Sequence, residues 1–272
     1  TWSSGYLRNR AGTFGNNRNN QRGRRRRNLP AGISRRPKTS QTCRQLNSPM
    51  HKFVSFNHQI SPASETNLSA ISSATLYGKG IFTTIAIYDS KPFLWEKHWS
   101  RLLDNASRIG LDFDFSEESV STSLSELIKH NKVENGRTRL TFFDESVKGI
   151  WAVENDKKTS LLITTADFRP LAKELKLTVS PYRVNSTSPL VNIKSCNYLE
   201  NLLAFEEAKK RGFAEAVRLN EKGKIASACL ANIFWVKGLE IFTPSLKSGC
   251  LAGTTREFIL ENRKVFEVEK GL

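Results

Sequence analysis

Asn192-Ile193-Lys194-Ser195-Cys196-Asn197-Tyr198-Leu199 is a short polar island between a strand-like run and a helix-like run. Scaffold on both sides would pin the lysine. Pinned and partly desolvated, a lysine amine gives up its proton readily and becomes a nucleophile. Lys194 is therefore the first candidate for covalent chemistry with a carbonyl compound. The competing reading is an exposed loop lysine in a salt bridge.

Working outward, residues 174–184 are the predicted strand before the island and 199–211 the predicted helix after it. Further upstream, alternation predicts a strand over 81–88, a tight turn at Asp89-Ser90-Lys91 and a returning strand over 92–94. Trp95, Trp99, Leu102, Leu103 and Ala106 repeat at helical spacing, which predicts a helix over 95–109 stopped by Gly110. Ser116-Glu117-Glu118 opens a second helix running to about His130, and strands are predicted over 137–143 and 160–166. Downstream, paired strands are expected near 214–219, 232–236 and 239–242, then a helix near 256–262 and a strand over 264–268. Arg169-Pro170 marks a linker over 168–174. The fold class expected is α/β of the α+β type, with a small α/β domain over 50–167 and a β-rich one over 175–272. The last four residues offer no closing element, so the chain is expected to be incomplete at its C-terminus.

The formal net charge of +16 over 272 residues is unevenly spread. Residues 1–49 hold twelve of the 42 Lys and Arg and no Asp or Glu, so the rest carries only +4. This segment, with Asn16-Asn17-Arg18-Asn19-Asn20 and Arg24-Arg25-Arg26-Arg27, has few large apolar residues. It cannot bury enough surface to offset its ordering entropy, and is read as a disordered basic extension. Met50, the single methionine, precedes the strand-like Phe53-Val54-Ser55-Phe56 and looks like the natural start, with 1–49 an upstream extension of the reading frame. An organelle transit peptide and a nucleic-acid-binding arm are the alternatives. Aromatics are not interleaved with the arginines as in stacking segments, so a nucleic-acid partner is disfavoured. Cys43, Cys196, Cys229 and Cys250 form no CxxC pair, which argues against a disulfide framework or a metal site and for a reduced, cytoplasmic setting. No apolar run reaches the roughly 18 residues of a membrane span.

Three further motifs accompany the island: His98-Trp99-Ser100-Arg101-Leu102, the run Ile225-Ala226-Ser227-Ala228-Cys229-Leu230-Ala231-Asn232-Ile233-Phe234-Trp235, and Leu251-Ala252-Gly253-Thr254-Thr255-Arg256. Read singly, each has an ordinary explanation. Arg101 suits a solvated helix face, Gly253-Thr254-Thr255 a plain N-cap, and Tyr198 a core tyrosine at a helix start.

In this order and spacing, from about residue 52 onward, the motifs resemble the class IV aminotransferases. That family comprises pyridoxal-phosphate enzymes: branched-chain and D-amino-acid aminotransferases and 4-amino-4-deoxychorismate lyase. The resemblance implies a two-domain fold whose second, β-barrel-like domain binds pyridoxal 5'-phosphate. It makes Lys194 the lysine that bonds the cofactor and shuttles protons. Arg101 becomes the phosphate-binding arginine, whose planar fork suits a dianion. The turn opening at Gly253 becomes the phosphate cradle, with the amide of Thr254 and the hydroxyl of Thr255. Leu251 is implied to pack on the pyridine ring and Tyr198 to bond its phenolic oxygen.

Ser227 departs from the family. It stands where a glutamate usually bonds the ring nitrogen, and a neutral serine cannot hold a proton there by charge. Transamination should suffer most; an elimination that forms an aromatic ring depends less on that proton. Gly78-Lys79-Gly80-Ile81-Phe82-Thr83-Thr84 and Cys229-Leu230-Ala231-Asn232-Ile233-Phe234-Trp235 are also similar to the lyase version of their motifs. Lys79 replaces an acidic residue of the family. The favoured function is thus the lyase, which forms 4-aminobenzoate and pyruvate in folate biosynthesis. An aminotransferase for a branched-chain or D-amino acid is the second reading, and a non-catalytic relative with a nucleic-acid-binding arm the third. The resemblance further implies a small-molecule amino substrate and a homodimer.

Overall fold

Alternating apolar residues on three long strands decide the architecture. In the computed structural model, residues 50–146, 158–168 and 173–272 are described; the basic extension 1–49 and most of the expected linker lie outside them. All described residues fall within one compact unit, Arg44–Leu272. In chain order the elements are β1 (Phe53–Phe56), β2 (Gln59–Pro62), α1 (Ser73–Tyr77), β3 (Gly80–Tyr88), β4 (Lys91–Pro92), α2 (Trp95–Arg108) and α3 (Glu117–His130). There follow β5 (Gly136–Asp144), β6 (Thr159–Asp167), β7 (Leu177–Val179), α4 (Leu199–Lys210), β8 (Glu215–Leu219) and β9 (Ile225–Ala228). The last are β10 (Trp235–Lys237), β11 (Glu240–Pro244), α5 (Thr254–Asn262) and β12 (Val265–Val268).

Six strands form one antiparallel sheet in the order β2-β1-β6-β5-β3-β4. Ile81, Ile85 and Ile87 of β3 share a face with Leu140 and Phe142 of β5 and Leu161 and Ile163 of β6, and all are buried. The helices cover that face: Trp99, Leu102 and Ala106 of α2 and Val120, Leu124, Leu127 and Ile128 of α3 complete the core. Each large apolar side chain fully buried here contributes about 1.5–3 kcal/mol. Ser116 caps α3 by accepting from the Ser119 amide at 3.1 Å. Gly110, at φ +61°, follows α2 in the left-handed conformation that ends helices.

The second half contains two three-stranded sheets, β7-β8-β9 and β10-β11-β12. Here four expectations change. The strand expected over 174–184 is only β7, because Pro181 has no amide to donate to a ladder. The strand expected over 232–236 begins at Trp235, since Asn232 and Ile233 are diverted to Leu251 and Thr243 by side-chain bonds of 2.8 Å. β8 pairs with β7 and with β9, which lies inside the Ser227 motif, and not with the segment at 232–236. Finally, the last residues do close a contact. Gly271 bridges Lys224, and the Ile225 amide donates to Lys270 O at 2.7 Å.

Candidate active site

The direction of Lys194 follows from strand alternation. Residues 194–196 add to the open edge of β3: the Phe82 amide donates to Lys194 O at 2.9 Å, and the Cys196 amide to Gly80 O at 2.8 Å. Ile81 and Ser195 are bridge partners. Side chains alternate across an extended segment. Ile193 therefore enters the core beneath the helices, and Lys194 leaves on the opposite face, where Phe82 lies. Its Nζ stands 4.6 Å from the Phe82 ring centroid and 4.8 Å from that of Tyr198. Burial, then Arg101 and Arg139, push the amine down from 10.5 to about 7. It is a pinned, half-neutral nucleophile at neutral pH.

A hydrogen-bonded chain lies on the other side of β3. Arg101 donates from Nη2 to Thr83 Oγ1 at 2.7 Å and from Nη1 to Ala252 O at 3.4 Å. Thr83 Oγ1 is 2.5 Å from His98 Nδ1, and His98 Nε2 is 3.1 Å from Thr254 Oγ1. Thr83 already accepts from Arg101 and is fully buried, so its own hydrogen goes to His98 Nδ1. That assigns the histidine proton to Nε2, donating to Thr254. Burial, then Arg101 and Lys194, hold His98 down at about 3, so the ring stays neutral. Burial lowers Arg101 to about 10, which leaves it charged at neutral pH.

Lys194, Tyr198, Ser227 and Leu251 line one cavity of about 490 Å³, with Asn201, Arg218 and Asn232. The volume is in the range of small-ligand sites. Burial pushes the Tyr198 phenol up, so it is a neutral donor, and the Asn201 side chain bonds it. Gly253 precedes α5, whose first turn carries no side-chain cap. A Cβ on Gly253 would run into Asn232 Oδ1, so glycine alone lets this turn approach so closely. Free amides at a helix start, beside Arg101, suit an anion.

The sequence candidates are thus brought together in two groups. Lys194, Tyr198, Ser227 and Leu251 share the cavity. Arg101 and Thr254 stand just off its lining, joined through Thr83 and His98, while Thr255 is exposed on the first turn of α5. Arg139 and Arg218 were not singled out by sequence; Thr83 and His98 stood in the quoted motifs, Thr83 where aminotransferases more often carry Glu, but were given no site role. His98 lies three residues before Arg101, on the same helical face, which was the available signal. Arg139 lies with its guanidinium carbon 3.6 Å from the Phe82 ring centroid, a cross-strand relation that no local pattern displays. Lys79 has a structural answer: it pairs with Asp144 at 3.0 Å.

Known proteins resemble this chain over most of its length. The family model described as amino-transferase class IV matches residues 80–271. Aminodeoxychorismate lyase of Bacillus subtilis (strain 168) is 34% identical over 208 residues, 74% of this chain and 70% of that protein. D-alanine aminotransferase of Staphylococcus epidermidis is 30% identical over 207 residues, 72% of this chain and 71% of that protein. The crystal structure of the branched-chain aminotransferase of Thermoproteus uzoniensis with norvaline is similar at a TM-score of 0.75. It is 26% identical, covering 81% of this chain and 79% of that one.

Proposed function

We propose a lyase reaction for this chain, which belongs to the class IV aminotransferase family and is a pyridoxal 5'-phosphate enzyme. The reaction is conversion of 4-amino-4-deoxychorismate to 4-aminobenzoate and pyruvate. The residues present fit the cofactor. A depressed lysine faces a cavity of suitable size, and a glycine-permitted turn with free amides stands beside a buried arginine. Arg101, the Thr254 and Thr255 amides and the Thr255 hydroxyl would hold the phosphate. Leu251 would pack on the ring, Tyr198 would donate to the phenolic oxygen, and Ser227 would face the ring nitrogen. Residues 50–167 would form the small domain and 175–272 the cofactor-binding one.

When bound, the cofactor delocalises electrons released at the carbon bearing the substrate amine. Lys194 Nζ, half neutral at pH 7, is able to bond the aldehyde carbon. When free, it would take up the proton from the amine-bearing carbon, which keeps none in the aromatic product, and be placed to pass it on to the departing group. Loss of the enolpyruvyl group then makes the ring aromatic, and that group gains a proton to become pyruvate. Phe82 and Tyr198 confine Nζ between two rings, which shortens the proton's path. His98 and Thr83 hold Arg101 in place.

One observation carries the choice of lyase: a serine, and no carboxylate, lines the cavity at position 227. The similarity to the lyase of Bacillus subtilis supports it. An aminotransferase acting on a D- or branched-chain amino acid is the second reading, favoured by the likeness to D-alanine aminotransferase. Leu199, Leu202 and Leu203, exposed on α4 beside the cavity, support a homodimer. A cytoplasmic location is part of the same proposal; among the described residues no helix is long and apolar enough to cross a membrane. The test is turnover of aminodeoxychorismate with and without a keto acid. Pyruvate release without the keto acid supports the lyase, and absolute dependence on 2-oxoglutarate rejects it.

A further inference from the structure

Arg218 lines the cavity, and the reaction above leaves it unused. Its side chain is 3% exposed. Nη1 donates to Asn201 Oδ1 at 2.6 Å; Nη2 donates to Arg183 O at 3.1 Å and lies 3.4 Å from Glu200 Oε2. Glu200 lines the same cavity, though its side chain is mostly exposed. Nε is buried without a hydrogen-bond partner among the described residues. Burying a charged fork with one donor unpaired is unfavourable, so stability alone does not account for an arginine here.

The bond to Asn201 orients more than the arginine. A guanidinium only donates, so the atom that meets it is the amide oxygen of Asn201; turned over, the amide would set N–H against N–H. Tyr198 stands at the start of α4 and Asn201 three residues on, so one helical turn brings them together, and the Asn201 side chain bonds the phenol. With Oδ1 turned to the arginine, Nδ2 is the atom turned to the phenol, and it can only donate. The bond favours the phenolate, against the burial that disfavours it, as donation from nitrogen does. The phenol oxygen is thus supplied with a hydrogen from Asn201, and its own hydrogen is left to be given to the cavity that Tyr198 lines. The other charged groups around the phenol do not compete for it. Arg101 on α2 and Arg139 on β5 only donate. Glu215 on β8 is occupied by the Ala216 and Cys229 amides at 2.9 and 3.1 Å. Lys194, 4.8 Å from the ring centroid, is committed once the cofactor is bound.

We infer that Arg218, acting through Asn201, turns the Tyr198 hydroxyl to donate to the phenolic oxygen of the bound cofactor. This rests on the reading above that Tyr198 faces that oxygen. Arg218 and Asn201 are positioning residues. Once Lys194 is joined to the cofactor, the proton on its nitrogen is held by the negative charge of the phenolic oxygen. A hydroxyl donated to that oxygen draws off part of the charge, so the nitrogen gives up its proton at a lower pH.

The test uses the full chain with and without cofactor. In the holoenzyme, the visible band of the bound cofactor is titrated with pH. Tyr198→Phe is expected to raise its midpoint by about one pH unit, the scale of a hydrogen bond to a charged oxygen. Asn201→Leu removes the link and leaves Arg218 charged. It is expected to raise the midpoint by a smaller step, and to add nothing in the Tyr198→Phe background. In the cofactor-free protein, tyrosine carrying carbon-13 beside the phenol oxygen is followed by NMR, with residue 198 assigned by its loss in Tyr198→Phe. The phenol midpoint is expected to rise in Asn201→Leu and in Arg218→Leu; should Arg218→Leu fail to fold, Asn201→Leu decides alone. An undiminished Asn201→Leu shift where Tyr198 is already phenylalanine overturns the inference, and so does an unmoved phenol midpoint in Asn201→Leu. If Tyr198→Phe leaves the visible band's midpoint in place, the reading of Tyr198 at the phenolic oxygen falls too. If Tyr198→Phe moves it and Asn201→Leu does not, that reading stands and this inference alone fails.

Discussion

Replacing Lys194 with methionine should change how the stability of the cofactor-free protein depends on pH. Burial and two guanidinium groups bring the amine from 10.5 to about 7. The folded-state value is depressed, so between about pH 7 and 10.5 the unfolded chain binds more protons than the folded one. Stability must then rise with pH across that window. The full shift corresponds to about 5 kcal/mol at 1.36 kcal/mol per unit. Solvent screening at a half-buried side chain should leave about half of that observable. Lys194→Met keeps the apolar stem and removes the charge. Urea unfolding of both proteins at a series of pH values reads the difference. Methionine should be the more stable at and below about pH 7, and the advantage should shrink as the pH approaches 10.5. Chemistry provides a second readout. An ordinary lysine is neutral in roughly one molecule in three thousand at pH 7, so Lys194 should label with an amine reagent about a thousandfold faster per accessible group. Parallel stability curves for the two proteins, or a labelling midpoint at residue 194 near that of exposed lysines, would refute the reasoning.

Three other outcomes are expected. Thr83→Val removes the hydroxyl that joins Arg101 to His98, stranding a buried donor and a buried ring nitrogen. It should cost about 1–3 kcal/mol in thermal or urea unfolding and weaken cofactor affinity measured by equilibrium dialysis. Gly253→Ala drives a methyl group into Asn232, whose amide holds Leu251 O at 2.8 Å. A loss of about 1–3 kcal/mol is expected, with a larger fall in cofactor retention than Thr255→Ala causes. His98 is held at about 3 against 6.5 when exposed. Below pH 6.5 the unfolded chain gains a proton that the folded one refuses, so stability is lost as pH falls from about 6.5 to 3. His98→Gln should flatten that part of the acid-unfolding curve.

Much of this molecule was legible along the chain because its signals are local. Trp99, Leu102 and Ala106 recur at helical spacing, Ser116 caps its own helix, and Ile81, Ile85 and Ile87 alternate on one strand. Each pattern involves residues within a few positions of one another, and each set the element found. Lys194 stood out for the same reason: it interrupts apolar sequence between a strand and a helix. The likeness to a known family then assembled Arg101, Tyr198, Ser227, Leu251 and Thr255 around it. One misjudged segment was stopped by Pro181, and another has its bonding groups claimed by distant partners. Residues 232–234 resemble a strand, but the Thr243 hydroxyl donates to Ile233 O and the Asn232 side-chain amide donates to Leu251 O.

Only the folded chain decided the protonation states. Burial in the folded chain lowers the Lys194 amine most; Arg101, 93 residues before it, and Arg139, 55 before it, lower it further. The neutrality of His98 comes from burial, then Arg101 and Lys194, and its tautomer from Thr83 and Thr254, on a strand and a second helix. Arg218 and Ser227 come to line one cavity only because β8 pairs with β9. Periodicity reports which face of an element is apolar, because burial acts on one element at a time. The proximity of charges is set by how elements pair, and through-space electrostatics carries no trace in local order.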